Sequence, residues 1–100
     1  MIVEIQCLPA PPGNADRQYA HVEAAIERIQ QAGVHYEVGA LGTTVEGEPD
    51  IIWPLLREVH EACLRSGADS VITVVKIADG VEAGSAPTME TLTAPWRSTT

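Results

Sequence analysis

Over residues 2–8, Ile-Val-Glu-Ile-Gln-Cys-Leu, apolar and polar positions alternate with the two-residue period of a β-strand. Val3, Ile5 and Cys7 face one way; Ile2, Glu4, Gln6 and Leu8 face the other. Pro9, Pro11 and Pro12 remove backbone donors, so the strand is expected to end there in a loop through Gly13. The period then lengthens. Tyr19, Val22, Ile26 and Ile29 recur at three- and four-residue steps, while Arg17, Glu23, Glu27 and Arg28 fall mostly elsewhere. That spacing predicts an amphipathic helix over about 16–32, capped by Asn14 or Asp16 and stopped at Gly33.

The short period returns in Tyr36-Glu37-Val38 and again in Thr43-Thr44-Val45-Glu46. Tyr36 and Val38 oppose Glu37; Thr43 and Val45 oppose Thr44 and Glu46. Gly39 and Gly42 between them favour a reversal, which predicts a hairpin over roughly 35–47. From Glu48-Pro49-Asp50 to about Arg65, Leu55, Leu56, Val59 and Cys63 form the inner stripe of a second helix. Pro54 is expected to distort its first turn, and Gly67 to stop it. Residues 70–78, Ser-Val-Ile-Thr-Val-Val-Lys-Ile-Ala, are the most β-prone run in the chain.

The order strand, helix, strand, strand, helix, strand predicts an α+β domain over residues 1–79. This is the ferredoxin-like split βαββαβ arrangement, a four-stranded antiparallel sheet with two helices on one face. Residues 80–100 are rich in Gly, Ser, Ala, Pro and Thr and have no clear period. They read as a flexible tail, or one that docks on a neighbouring subunit through Leu92 and Trp96, with at most a turn of helix around Thr88 to Leu92.

Composition narrows the partners. The 100 residues carry a formal net charge of −8, which argues against nucleic acid and anionic membranes, where cationic patches supply most of the affinity. With no Phe, the core must come from Val, Ile, Leu and Ala. No run approaches a membrane span, and Met1-Ile2-Val3-Glu4-Ile5 starts a strand with no basic region before it, so a cytoplasmic location is expected. Cys7 and Cys63 each lie in an apolar pattern and read as buried free thiols. His60 and Cys63 share a helix face, but no second ligand pair accompanies them. His21 and His35 have no evident acid or nucleophile beside them, so no catalytic residues, metal or cofactor are assigned.

With both helices on one side, the other sheet face must meet water, a partner or a ligand. It carries Ile2, Glu4, Gln6, Leu8, Glu37, Thr44, Glu46, Ile72, Val74 and Lys76. Ile2, Leu8, Ile72 and Val74 make an apolar patch that predicts self-association. Two readings of the polar residues stand side by side. Glu4, Gln6, Thr44 and Glu46 converge on a pocket for a small heteroaromatic ligand rich in donors, or Glu37, Glu46 and Lys76 simply pair across the sheet.

Tyr36-Glu37-Val38, Leu41-Gly42-Thr43-Thr44-Val45-Glu46-Gly47, Val59-His60-Glu61-Ala62 and Thr73-Val74-Val75-Lys76-Ile77 carry a resemblance. In order and spacing, over residues 1–79, the chain resembles the small thiamine-binding proteins of the YkoF and MTH1187 type, a family often described as of unknown function. The resemblance implies a ferredoxin-like fold assembled into dimers and tetramers through its sheets. It also implies non-enzymatic binding of thiamine or its hydroxymethylpyrimidine moiety. Carried onto this chain, Glu46 or Glu37 would engage the aminopyrimidine edge, and Thr43 or Thr44 a ring nitrogen or hydroxymethyl group. Thr43 falls on the core side of the alternation, so its part requires a twist or bulge. After residue 78 family members often continue with basic residues, whereas Asp79-Gly80-Val81-Glu82 is acidic. The expected site is therefore Glu4, Gln6, Glu37, Thr43, Thr44 and Glu46 in a homo-oligomer. The alternative is a structural or protein-interaction module with no physiological small-molecule ligand.

Overall fold

The computed structural model describes residues 1–81 and 87–97. Part of the predicted tail, residues 82–86 and 98–100, lies outside the described residues. The elements in order are β1 (Ile2–Ala10), α1 (Ala20–Gln31), β2 (His35–Val38), β3 (Thr43–Glu46), α2 (Pro49–Arg65), β4 (Ser70–Ala78) and α3 (Met89–Thr93), followed by a 3-10 turn, Ala94–Trp96. The four strands form one antiparallel sheet in the order β2-β3-β1-β4, the ferredoxin-like arrangement that the element order predicts.

The core follows from the alternation. Val3, Ile5 and Val45 rise from the sheet to meet Ala25 and Ile29 of α1 and Ile52, Leu55, Leu56, Val59 and Cys63 of α2. Each fully buried aliphatic side chain of this size stabilises the fold by about 1.5–3 kcal/mol. Gly33, at φ +75°, and Gly67, at φ +123°, end the two helices in conformations that side chains rarely adopt.

Several local features differ from expectation, each for a visible reason. β1 continues through Pro9 to Ala10, paired with Val71 and Ser70 of β4. The Ala10 carbonyl accepts from the Asp69 amide at 2.9 Å, so Ala10 turns its peptide groups toward β4. Pro9, one residue earlier, turns its missing donor to the side where β3 has already ended, so no ladder bond is lost. The first helix begins at Ala20 because Asn14 closes a turn ahead of it, its Oδ1 accepting from the Asp16 and Arg17 amides. α2 runs unbroken through Pro54, which lies near its start and deprives only the Asp50 carbonyl of a partner.

The inner stripe of α1 is His21, Ala25 and Ile29, rotated from the predicted one, and Tyr19 is exposed. His21 Nδ1 lies 2.7 Å from Ser66 Oγ, whose single proton goes to the Cys63 carbonyl at 2.8 Å. Nδ1 is therefore the donor, and the ring ties the start of α1 to the end of α2. Across the outer helical surface Arg17 pairs with Glu23, Arg28 with Glu58, and Glu61 with both Arg57 and Arg65. These pairs balance the helical charge, so the acidic excess falls largely on the strands, loops and helix ends.

Candidate functional site

The strand register divides the expected site residues between the two sides of the sheet. Glu37, Thr44, Glu4 and Lys76 stand in one row across all four strands on the open face. His35, Glu46, Ile2 and Ala78 form the next row. Lys76 Nζ lies 3.7 Å from Glu4 Oε1, with both side chains largely exposed, so this pair adds little stability. Glu46 has a different partner. Its Oε2 accepts from the Met89 amide at 2.9 Å, at the start of α3.

Met89 and Ile2 are both buried, which seats the short C-terminal helix on that end of the open face. Its first turn is closed by reciprocal bonds. Thr88 Oγ1 accepts from the Thr91 amide at 3.1 Å, and Thr91 Oγ1 accepts from the Thr88 amide at 3.2 Å. The sequence signal for this start is the Thr88-x-x-Thr91 spacing, with threonine where a capping box usually carries Glu or Gln. Nothing local points to Glu46 as its partner, because that contact closes over 43 residues.

Thr43 sits on the helix side, 5% exposed, between Ile5 and Val38. The β1–β3 register runs unbroken from Ile2↔Glu46 to Ile5↔Thr43, so no bulge turns Thr43 toward the carboxylates. It instead lines a cavity of about 510 Å³ between α1 and the hairpin end of the sheet. Tyr19, Val22 and Ile26 form the helical wall, and Leu41 and Thr43 the hairpin wall, with Gln6 at the strand side. The cavity exists because β3 stops opposite Ile5 while β1 runs on to Ala10, leaving helix and strand with no hairpin strand between them. Leu41, at the hairpin tip, is 82% exposed, an apolar side chain beside an apolar opening. Glu23, held by Arg17, stands at the same cavity.

The structure thus brings Gln6 and Thr43 to a cavity, and Glu4, Glu37, Thr44 and Glu46 to the open face. Sequence reasoning missed Tyr19 and Leu41 as lining residues. Tyr19 fits the helical period and so reads as core, and Leu41 lies inside the turn. Neither residue type marks a cavity locally; each acquires its place from how α1 and the hairpin pack together.

Of the remaining candidates for chemistry, His60 is engaged within the fold. His60 Nδ1 bonds Thr73 Oγ1, and Thr73 bonds Cys7 Sγ weakly at 3.7 Å. Cys7 and Cys63 are free, and burial, with the Cys7 thiol beside it, pushes the Cys63 thiol up to about 12. Cys63 is therefore held as the neutral thiol, a poor nucleophile and a poor metal ligand. Among the described residues no group of three His, Cys, Asp or Glu side chains is placed to hold a metal ion. No helix among them is long and apolar enough to cross a membrane.

Comparison with known proteins agrees with this architecture. The chain is 34% identical to a solved domain of unknown function from Bacillus cereus, with a TM-score of 0.76 over 97% of this chain and 91% of that one. It is 30% identical to a candidate thiamine biosynthesis/salvage protein of Thermotoga maritima, with a TM-score of 0.78 over 96% and 97% of the two chains. A UPF0045 protein of Clostridium perfringens is 39% identical over 75 residues, 75% of this chain and 77% of that protein. The thiamine-binding protein family model matches residues 3–93, and the chain belongs to that family.

Proposed function

We propose that this chain binds thiamine or its hydroxymethylpyrimidine moiety without catalysing a reaction on it, as a cytoplasmic homo-oligomer. The observation that carries the reading is the cavity of about 510 Å³, apolar-walled and holding a buried threonine hydroxyl, in a chain of the thiamine-binding family. An aminopyrimidine is flat, with apolar faces and a polar edge. Tyr19 and Leu41 suit its faces, while Thr43 Oγ1 suits a ring nitrogen or the exocyclic amine. Glu23 at the same cavity suits a cationic thiazolium. The Thermotoga neighbour's assignment to thiamine biosynthesis or salvage supports the same direction.

Glu4, Glu37, Thr44 and Glu46 offer a second placement for the same ligand, between the open faces of two subunits in a dimer or tetramer. The exposed Leu8, Ile72 and Val74 on that face favour the other reading, an interaction module without a small-molecule ligand. One set of titrations separates all three.

Thermal unfolding and calorimetry with thiamine, thiamine phosphate and hydroxymethylpyrimidine are expected to show a saturable response to at least one. Ligand at about 100 times its dissociation constant adds roughly 2.7 kcal/mol of stability. Thr43→Val removes a buried hydrogen-bonding hydroxyl and should weaken binding about tenfold, whereas Glu46→Gln should leave it unchanged. The opposite pattern moves the ligand to the open face. Flat curves for all three compounds up to millimolar ligand sink the binding reading and leave the interaction module.

A further inference from the structure

The chain has two cysteines, far apart in sequence, and the fold brings them together. Cys7 continues the helix-side row of β1 that Val3 and Ile5 begin, and it packs against the core cluster to which Cys63 of α2 belongs. The two thiols lie against each other. They differ in access. Cys63 is 0% exposed, whereas Cys7 is half-buried and lines the cavity of about 510 Å³. The early end of β3 is the reason. Its pairing with β1 stops at Ile5, so Cys7 is the first helix-side residue of β1 with no β3 residue beside it. A small molecule that enters the cavity therefore reaches one thiol of the pair and not the other.

We propose that Cys7 is an oxidation site for hydrogen peroxide in the cavity wall, and that Cys63 converts the oxidised Cys7 to an intrachain disulfide. In the first step the Cys7 sulfur attacks one peroxide oxygen. The O–O bond breaks, the departing hydroxide takes the thiol proton to become water, and Cys7 carries a sulfenic acid, S–OH. In the second step the Cys63 sulfur attacks the Cys7 sulfur. An S–S bond forms, the S–O bond breaks, and the hydroxyl leaves with the Cys63 proton as a second water. The two thiols lose two electrons between them, and one peroxide is reduced to two waters.

Cys63 is a weak nucleophile toward anything in solution, because its thiol is pushed up to about 12 and only about one in 10⁵ is ionised at neutral pH. Contact offsets that scarcity. Groups held against each other react with effective molarities on the order of 10⁵ M or more, so the second step outruns further attack on Cys7 by dilute peroxide. The product joins β1 to α2 and removes a thiol from the cavity wall. Thiol reductants reverse it. This chemistry does not depend on what the cavity binds.

The full chain, treated with hydrogen peroxide at neutral pH without denaturant, is expected to lose two hydrogen atoms by intact mass. A non-reducing digest should join the Cys7 and Cys63 peptides, and dithiothreitol should restore the original mass. Cys63→Ala should stop at the sulfenic acid on Cys7, captured by dimedone, and Cys7→Ser should leave Cys63 unmodified at the same dose. In the wild-type chain the lifetime of the sulfenic acid should shorten about tenfold per pH unit above neutral, as Cys63 thiolate becomes available. The wild-type measurements decide the matter without any variant having to fold. A chain that gathers sulfinic acid on Cys7 with no disulfide overturns the proposal, as does one whose two thiols stay reduced or that cross-links only between copies. Oxidation of Cys63 in Cys7→Ser as fast as in wild type overturns it too, since peroxide would then reach Cys63 without passing Cys7.

Discussion

β1 and β4 are both nine residues long, similarly apolar, and paired to each other along their whole length. Val3 lies opposite Ile77 and Ile5 opposite Val75, all four on the helix side of the sheet. Yet Val3 and Ile5 are 0% and 3% exposed, while Ile77 and Val75 are 43% and 37% exposed. The difference lies in position, not in residue type. β1 has strands on both sides and both helices above it, whereas β4 has one neighbouring strand among the described residues and sits at the rim that the helices do not fully cover. The most β-prone stretch of the chain thus keeps much of its apolar surface in water. Nothing among the described residues covers that surface.

Mutation is the sharpest way to break the comparison. Ile5→Ala should cost about 2–5 kcal/mol in denaturant unfolding, because the cavity it leaves lies between two helices and three strands. Val75→Ala, its register partner, should cost about 1 kcal/mol or less. Equal losses at the two positions would show that β4 is as well packed as β1 within one copy.

The floor under β1 offers an intermediate test, since Cys63 lies against its Cys7. The folded state holds Cys63 neutral up to about 12, whereas an unfolded thiol releases its proton near 9.0. The unfolded chain therefore gains on the native one as pH rises, and stability present below pH 9.0 should decline through that window. Cys63→Ala should flatten the alkaline arm of a melting-temperature profile. An unchanged slope would mean that the thiol is open to solvent.

The smallest expected effect sets the baseline of a solvated surface. The hydrogen bond from Arg57, with the added charge of Arg65, lowers the Glu61 carboxyl below its ordinary range. Its contribution is present above the unfolded carboxylate range and lost as pH falls through the lowered one. Glu61→Gln should therefore shift the melting temperature barely at neutral pH and not at all in acid. A large shift would show that the outer helical surface is not simply solvated.

How far the candidate site is legible follows the same division between local and assembled features. Glu4, Glu37, Thr44 and Glu46 share the open face as their alternation requires, because side-chain direction along a strand is a local property. The same rule places Thr43 on the core side, and the unbroken register keeps it there. That Gln6 and Thr43 meet a cavity is not legible. It depends on β3 ending opposite Ile5 while β1 continues, a difference in strand length that appears only when the strands pair. The contact between Glu46 and Met89 is equally hidden, since it joins a strand to a segment whose composition suggests a free tail.

By itself the sequence determined the elements, their order and the face on which each strand side chain stands. Period and turn residues are read within a few positions, and the right-handed crossover then leaves one topology. Tertiary structure decided which apolar residues are actually buried, where the cavity opens, and which edge of the sheet is left apolar on both faces. Those properties depend on what lies beyond a residue's own strand or helix. Periodicity alone is the wrong guide there, since Ile5 and Val75 look alike in the chain and differ only in their neighbours.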